Sequence, residues 1–353
     1  MKVMAINSSP RTQGASHSEK LLQFLAEGMR AAEAEVEIIN LREYTIRFCQ
    51  GCYTCWTKTP GVCRLKDDMT ESLFPKWRAA DLVVYASPLY YRSVVSRLQA
   101  FIERTLPSLL PYCVAEGERS GHPPRNRMPN FVLLSVSGFL EMEEFGPVSD
   151  WAKTNFDAPP AKLLAEIYRP GAQALALQQY RAVADDVYAA VKKAGHEIIR
   201  DGMVSETTMA KITQPIVAKD TYFKFANLFW RHCIDEGITP RQFSKKGAAP
   251  MPKTVEDMMV LLPVGINQTK TEKMQSRIQF KFESTEHSNF FMDINHGRIE
   301  ACEGTTETPD LTIITPFQVW SDIMSGKTDG AAQLMNGAYR IEGDGTLLVR
   351  LFA

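Results

Sequence analysis

The sequence predicts two domains: an α/β domain built on a doubly wound, parallel five-stranded sheet, followed by a smaller α+β domain. Three observations predict this. A chain of 353 residues exceeds what one ordinary core supports, so two domains are the default. Its first part alternates short apolar runs with helical periods, the rhythm of a parallel sheet covered on both faces. Beyond residue 253 the rhythm changes to short alternating strands with brief helices.

The elements follow in order. Residues 2–6 (KVMAI) read as a buried strand, and 18–34 as an amphipathic helix with Leu21, Leu22, Leu25 and Met29 on one face. Residues 36–41 (VEIINL) make a second strand. A helix over 70–79 leads into a third strand at 81–86 (DLVVYA), and 93–105 is helical. A fourth strand falls at 130–135 (NFVLLS) and a fifth at 162–168 (KLLAEIY). A long helix over 178–200 ends near Gly202. Residues 206–240 are helical and aromatic (Tyr222, Phe223, Phe225, Phe229, Trp230), suited to capping the first domain or to an oligomer contact. The basic, proline-bearing stretch 241–253 (RQFSKKGAAPMPK) reads as a linker. The expected domains are therefore 1–240 and 254–353. In the second, 277–282 (RIQFKF), 290–294 (FFMDI), 299–302 and 311–315 (LTIIT) form a meander. Helices at 316–324 and 330–335 follow, then strands at 339–342 and 347–352.

Hydrophobic content of 44% and charged content of 23% are those of an ordinary globular protein. A net charge of −1 with both signs interspersed leaves no basic footprint for nucleic acid and no polybasic arm for an acidic membrane. No stretch approaches the roughly 18 apolar residues of a spanning helix, and the start MKVMAINSSPR is too short in apolar residues for a signal sequence. The cytoplasm is the expected compartment, and it keeps thiols reduced.

Four of the seven cysteines stand within residues 49–63, CQGCYTCWTKTPGVC. The odd count and the crowding argue against a disulfide framework and for a metal or redox site. Cys49, Cys52, Cys55 and Cys63, spaced C-x2-C-x2-C-x7-C, supply four soft ligands, enough for a 4Fe–4S cluster. Zinc competes for the same thiolates. Free thiols lining a loop, packed by Tyr53, Trp56 and Val62, are the third reading.

The first strand runs into NSSPRTQGASHS (7–18), and a helix begins at once. Hydroxyls and free amides at a helix start form an anion site. Glycines are too few for a Walker loop and G-x-G-x-x-G is absent, so a single terminal phosphate, as in FMN, fits better than a pyrophosphate. Simple capping by Ser16 or Ser18 is the plainer role. Ligands of open parallel sheets bind beyond the carboxyl ends of the strands, beside strand one. Strands three and four run into SPLYY (87–91) and SVSGF (135–139). Their amides and small hydroxyls suit the edge of a flavin ring, with Tyr90 or Phe139 against its faces. Asp67 and Asp68 read as helix-start residues, and His17 as an exposed loop residue. No catalytic side chain is read, since hydride transfer on a flavin needs no protein acid or base.

Three segments, NSSPRTQGASHS, CQGCYTCWTKTPGVCRLKDDM and ADLVVYASPLYYRSVVSRLQAFIERT, make residues 1–240 resemble the flavodoxin-like FMN reductases, and more narrowly the iron–sulfur flavoproteins. The resemblance implies a flavodoxin-like fold and FMN bound by Ser8, Pro10, Arg11, Ser16 and Ser18 at the phosphate. It implies Pro88, Leu89 and Tyr90 at the ring, with Ser137 and Gly138 opposite. It also implies NAD(P)H as reductant, or a ferredoxin in the iron–sulfur branch, and a homodimer or homotetramer. Residues 254–353, through IQFKFE, FFMDINHGRIEACEG and TPDLTIITPFQVWSDIMSGKTDGAAQLMNGAYRIEGD, resemble the sterol carrier protein type 2 domain, which implies a lipid-like ligand. Phe317, Trp320, Ile323, Met324 and Met335 would line the helical side of its core, whether that core is hollow or solid. The expected activity is electron transfer to a small, quinone-like or lipid-like acceptor. The alternative is a lipid-binding or electron-carrying flavoprotein without turnover of its own.

Overall fold

The computed structural model describes residues 1–12, 14–116, 119–177, 180–246, 251–266, 270–283 and 289–352. The chain divides into two compact units, the first comprising Met1–Ala176 and Arg181–Ile216, the second beginning in sequence order chiefly at Val217. Among the described residues no helix is long and apolar enough to cross a membrane.

The first unit runs β1 (Lys2–Asn7), α1 (His17–Ala31), β2 (Glu35–Asn40), α2 (Phe74–Ala79), β3 (Leu82–Pro88), α3 (Ser96–Glu103), a small ribbon of β4 (Val114–Glu116) and β5 (Arg119–Gly121), then β6 (Asn130–Val136), α4 (Gly146–Phe156), β7 (Leu163–Arg169), α5 (Arg181–Asp201) and α6 (Glu206–Thr213). Five strands form one sheet in the order β2-β1-β3-β6-β7, every pair parallel. This is the doubly wound parallel sheet that the alternating pattern predicts, in the flavodoxin-like strand order that the resemblance implies. β3 is buried at its first six positions and β1 at its last five, as strands covered on both faces must be. One face packs Leu21, Leu25 and Met29 of α1 and Val187, Val191 and Ile198 of α5 against Val84, Val132 and Ile167. The other packs Trp77, Leu98, Phe101, Val148 and Phe156 against Val83, Tyr85 and Leu133. The helix expected over 70–79 opens instead with a π-helical turn, Met69–Leu73, before α2.

The second unit holds α7 (Lys219–Asp235), α8 (Pro240–Lys246), α9 (Val255–Gly265), β8 (Gln275–Phe282), β9 (Phe290–Asn295), β10 (Arg298–Glu303), β11 (Leu311–Thr315), α10 (Phe317–Met324), α11 (Gly330–Met335), β12 (Arg340–Gly343) and α12 (Thr346–Phe352). Its sheet has the order β10-β9-β8-β11-β12, antiparallel except for β8 against β11. Phe280, Phe290, Trp320, Tyr339, Leu347 and Leu351 fill the core.

Three expectations are corrected. The boundary falls at 216 rather than 240, because α7 is tied to α9: Arg231 meets Asp257 at 2.7 Å and Lys253 meets Asp235 at 2.6 Å. The stretch 241–253 is not linker throughout. Thr239 and Gln242 form a reciprocal cap, the Thr239 N–H donating to Gln242 Oε1 (2.8 Å) and the Gln242 N–H to Thr239 Oγ1 (3.3 Å), which starts α8 with a proline at its first position. Residues 247–250 of that stretch, like 178–179 of the long helix, lie outside the described residues. The last strand, expected at 347–352, is helix α12. Asp344 Oδ1 accepts from the N–H and hydroxyl of Thr346 (2.9 and 2.6 Å), and Leu347 and Leu351 are buried at helical spacing.

Candidate functional site

Because β1, β3 and β6 are parallel neighbours, the segments following them leave the same edge of the sheet. That edge therefore collects Ser8, Pro10, Arg11, Ser16 and Ser18 from the first loop, Pro88, Leu89 and Tyr90 from the second, and Ser137 and Gly138 from the third. The crevice between β1 and β3 is where the strand order reverses, the position at which such sheets bind ligands.

The first loop is folded by its own polar groups. Ser8 is spent on the neighbouring strand: its N–H and hydroxyl both donate to the Ala86 carbonyl at 2.9 Å. Ser9 accepts the N–H of Arg11 (3.2 Å), and Ser9 N–H donates to Asn7 Oδ1 (3.1 Å). Ser16 caps α1, accepting the Glu19 N–H at 3.2 Å, and lies 3.2 Å from the Ser18 hydroxyl. Both serines are buried, whereas Pro10 and Arg11 are exposed and Gln13 lies outside the described residues. A buried carboxylate, Glu19, stands in the first turn, where it would repel an anion. Arg42 neutralises it through two hydrogen bonds of 2.9 and 3.0 Å and also donates to the Arg11 carbonyl. The bond to Glu19 raises the Arg42 guanidinium above its ordinary value, more than burial lowers it. His17 is not the exposed loop residue expected. It is the first residue of α1 and half-buried. Burial, then Arg11 and Lys20, bring its pKa down to about 4, so its imidazole is neutral at physiological pH.

At the second and third loops, the Leu89 N–H donates to the Val136 carbonyl (2.8 Å), joining the ends of β3 and β6. Tyr90 and Ser93 exchange backbone hydrogen bonds of 3.0 Å across a two-residue turn. Tyr91 and Arg92 both take positive φ there, 51° and 57°, a conformation that side chains other than glycine resist. Arg92 secures the turn through two bonds to Glu144 on the third loop (3.0 and 3.1 Å). Ser137 is buried and accepts the Phe139 N–H (3.0 Å). Tyr90 and Phe139 remain exposed, at 45% and 58%, large apolar rings left at the mouth of the crevice.

The cysteine loop is built differently. Cys49, Cys52, Cys55 and Cys63 line a single cavity of about 20 Å³, together with Arg104, Leu106 and Pro107. Cys55 is buried, Cys49 and Cys63 half-buried and Cys52 exposed. Burial, then the neighbouring thiols, chiefly Cys63, push the Cys55 thiol up. One ion needs its sulfur ligands within about 2.3 Å, and among the described residues no group of three or more His, Cys, Asp or Glu side chains is placed to hold one. The four thiols thus ring a common space without closing on a point. As a donor set, four thiolates suit an iron–sulfur cluster or zinc. The space itself has room for about one water. The cavity sits at the C-terminal end of α3. The eight residues of that helix, about 12 Å at 1.5 Å per residue, separate it from the loop after β3.

Sequence reasoning missed what holds this loop. Arg104 and Asp67, with side chains 1% and 2% exposed, form an ion pair at 2.8 and 2.9 Å. Asp67 accepts the Arg47 N–H (2.9 Å) and the Thr70 N–H (3.2 Å), and Arg104 donates to the Arg47 carbonyl (2.6 Å). Asp67 does mark a helix start, as expected, but its main partner is 37 residues away. Burial pushes the Asp67 carboxyl up, and the Arg104 guanidinium with the two N–H groups outweighs it and holds the carboxyl below the usual range.

In the second unit Trp320 is buried and Phe317, Ile323 and Met324 pack on the core. Met335, expected among them, is 81% exposed. A cavity of about 800 Å³ lies elsewhere in this unit, between α7, α9 and β10, lined among others by Lys224, Leu228, Met259, Val260, Ile299 and Ala301.

Residues 1–126 match the family described as NADPH-dependent FMN reductase, and residues 264–352 the SCP-2 sterol transfer family. An iron–sulfur flavoprotein of Archaeoglobus fulgidus is 36% identical over 107 residues, 30% of this chain and 46% of that protein. One of Methanocaldococcus jannaschii is 32% identical over 137 residues, 39% of this chain and 63% of that protein. The chain thus spans about half the length of the curated relatives it matches. Among solved structures, an NAD(P)H:quinone oxidoreductase from Methanothermobacter marburgensis superposes with a TM-score of 0.43 at 16% identity, covering 56% of this chain and 98% of that one. The chain is therefore similar to the NADPH-dependent FMN reductase family over residues 1–126 and to the SCP-2 sterol transfer family over residues 264–352.

Proposed function

We propose that this chain is an FMN-dependent oxidoreductase of the iron–sulfur flavoprotein type. The observation that carries it is the convergence of three loops, from β1, β3 and β6, on one sheet edge, the first opening the N-terminus of α1. Ser16, Ser18 and the backbone amides beside Pro10 and Arg11 hold the phosphate, with Ser8 fixing the loop to β3. Pro88, Leu89 and Tyr90 hold one side of the ring and Ser137 and Gly138 the other. FMN, when bound, supplies hydride and single-electron chemistry, and the chain supplies binding and orientation. Cys49, Cys52, Cys55 and Cys63 hold a 4Fe–4S cluster that passes single electrons. NAD(P)H or a ferredoxin is the donor, and the acceptor is small and quinone-like or lipid-like. The active form is a homodimer or homotetramer.

The test is the spectrum of protein purified without oxygen, with flavin, iron and sulfide assays. The expected result is one FMN and about four iron per chain, four being the cluster's composition. Protein that neither carries flavin nor binds added FMN sinks the oxidoreductase reading. Flavin without iron or sulfide removes the cluster and leaves the FMN site standing.

The SCP-2 segment and the 800 Å³ cavity beside it support a lipid-like ligand for the second unit. That volume lies within the range of small-molecule sites, and its wall combines Leu228, Met259, Val260 and Ile299 with the cation of Lys224. A fluorescent acyl probe is expected to bind, and Ala301→Trp, which fills the cavity, to weaken it about tenfold or more, the cost of about 1.4 kcal/mol. Unchanged binding in that variant would place the ligand elsewhere.

A further inference from the structure

Arg104 carries a permanent charge yet is only 2% exposed. Its two terminal nitrogens are fully used. Nη1 donates to Asp67 Oδ2 (2.8 Å) and the Arg47 carbonyl (2.6 Å), and Nη2 to Asp67 Oδ1 and Thr70 Oγ1 (both 2.9 Å). Thr70 in turn donates to the Leu65 carbonyl (2.6 Å). The contacts therefore reach Arg47, two residues before Cys49, and Leu65, two after Cys63. One guanidinium thus clamps both ends of the cysteine loop.

Its third nitrogen is different. The Nε–H of Arg104 is buried and makes no hydrogen bond of good geometry. A buried donor left unpaired costs about 1–3 kcal/mol, and a redox role or a bound water or ion is among the explanations for one that persists. The same side chain lines the cavity ringed by the four cysteines. Burial lowers the Arg104 guanidinium, but its hydrogen bond to Asp67, the charges of Cys63 and Asp67, and a hydrogen-bonding contact with Cys63 outweigh it and raise it above its ordinary value, so Cys63 is the thiol within its reach.

We propose that Arg104 is a positioning residue for the thiol site, clamping the loop through its terminal nitrogens and donating its Nε–H to sulfur at Cys63 when a cluster is bound. This rests on the iron–sulfur reading above. A purely structural clamp would use the terminal nitrogens alone and leave the cluster's electronics untouched. A donor to sulfur does more, because hydrogen bonds to cluster sulfur and nearby positive charge favour the reduced, more negative form and raise the reduction potential.

The experiment measures iron first, in anaerobically purified wild type. No iron there overturns the iron–sulfur reading, and this inference falls with it. With iron present, Arg104→Lys and the double variant Arg104→Met with Asp67→Leu are compared with wild type. The double variant removes the whole buried pair, which proteins often tolerate without losing the fold. The expected result in both is a cluster potential shifted negative, with roughly 10- to 100-fold weaker retention of iron against a chelator and FMN content unchanged. Wild type grown on 15N-arginine is expected to show an arginine 15N coupling in the pulsed EPR of the reduced cluster, absent from Arg104→Lys. Unchanged potentials in folded variants overturn the proposal. If neither variant folds, the wild-type coupling decides, and its absence overturns the proposal.

Discussion

Gly28→Ala is expected to destabilise the first unit by about 3 kcal/mol or more, the upper end of what overpacking costs. Taken as a helix substitution alone the sign would be opposite, since alanine is favoured over glycine by about 0.5–1 kcal/mol. Packing decides. A Cβ at Gly28 of α1 would stand 1.7 Å from the Lys192 carbonyl oxygen of α5, and one at Gly195 of α5 would stand 2.1 Å from the Leu25 oxygen of α1. Both obstacles are backbone, so no side chain can swing aside and one helix must lift off the other. Those two helices cover one face of the parallel sheet, and α1 carries at its start the loop proposed to hold the phosphate. Urea unfolding followed by tryptophan fluorescence should show a lower midpoint with little change in slope. Gly195→Ala should behave likewise, and the two together should cost less than their sum, since one displacement relieves both collisions. A loss below about 1 kcal/mol in either single variant would mean that the helices slide apart cheaply, against the close packing of protein interiors.

Asp67→Asn should be nearly as damaging, by about 3–5 kcal/mol, the cost of leaving a buried charge without its partner. Arg104 cannot shed its proton to escape, and the asparagine amide can return only one acceptor in place of two. The loop from Arg47 to Leu65 should loosen, which limited proteolysis near residues 49–63 would report. Acid should act on the same bond. The Asp67 carboxyl is held below its ordinary value, so its contribution is complete above the unfolded carboxylate range and is lost as pH falls through the depressed value. Wild type should lose stability over that acid range, and Asp67→Asn should lack that part of the slope. Equal slopes in the two proteins would mean that the pair contributes nothing measurable.

Much of the fold was legible before any coordinates. Alternating apolar runs such as KVMAI and DLVVYA are long enough, and sufficiently flanked by helical periods, to mark buried parallel strands. What the pattern could not distinguish is an apolar run without a clear period: LLVRLF at 347–352 satisfies both a strand and a helix, and Asp344 and the core position of Leu351 decide it. Similarly, TPRQ at 239–242 carries a cap that is visible in sequence, but its basic, small neighbours suggest a linker. The candidate site divides the same way. Loop residues such as Ser16 and Ser137 follow directly from strand ends. The pairs Arg42–Glu19 and Arg104–Asp67 join residues 23 and 37 positions apart, and nothing in the spacing of either member points to the other.

By itself, the sequence determined the strand–helix alternation, the hydroxyl-rich loop at the start of the first helix, the clustering of four thiols and the change of character after residue 253. These are local properties, set by side-chain period, turn chemistry and composition within a few residues. The tertiary structure decided the rest. It brought three loops to one sheet edge, placed the thiols around a cavity at the end of α3, and put one buried arginine under both ends of their loop with a single N–H to spare. Such placements depend on contacts between residues far apart in sequence, where the burial of a charge, and not the local pattern, selects the partner.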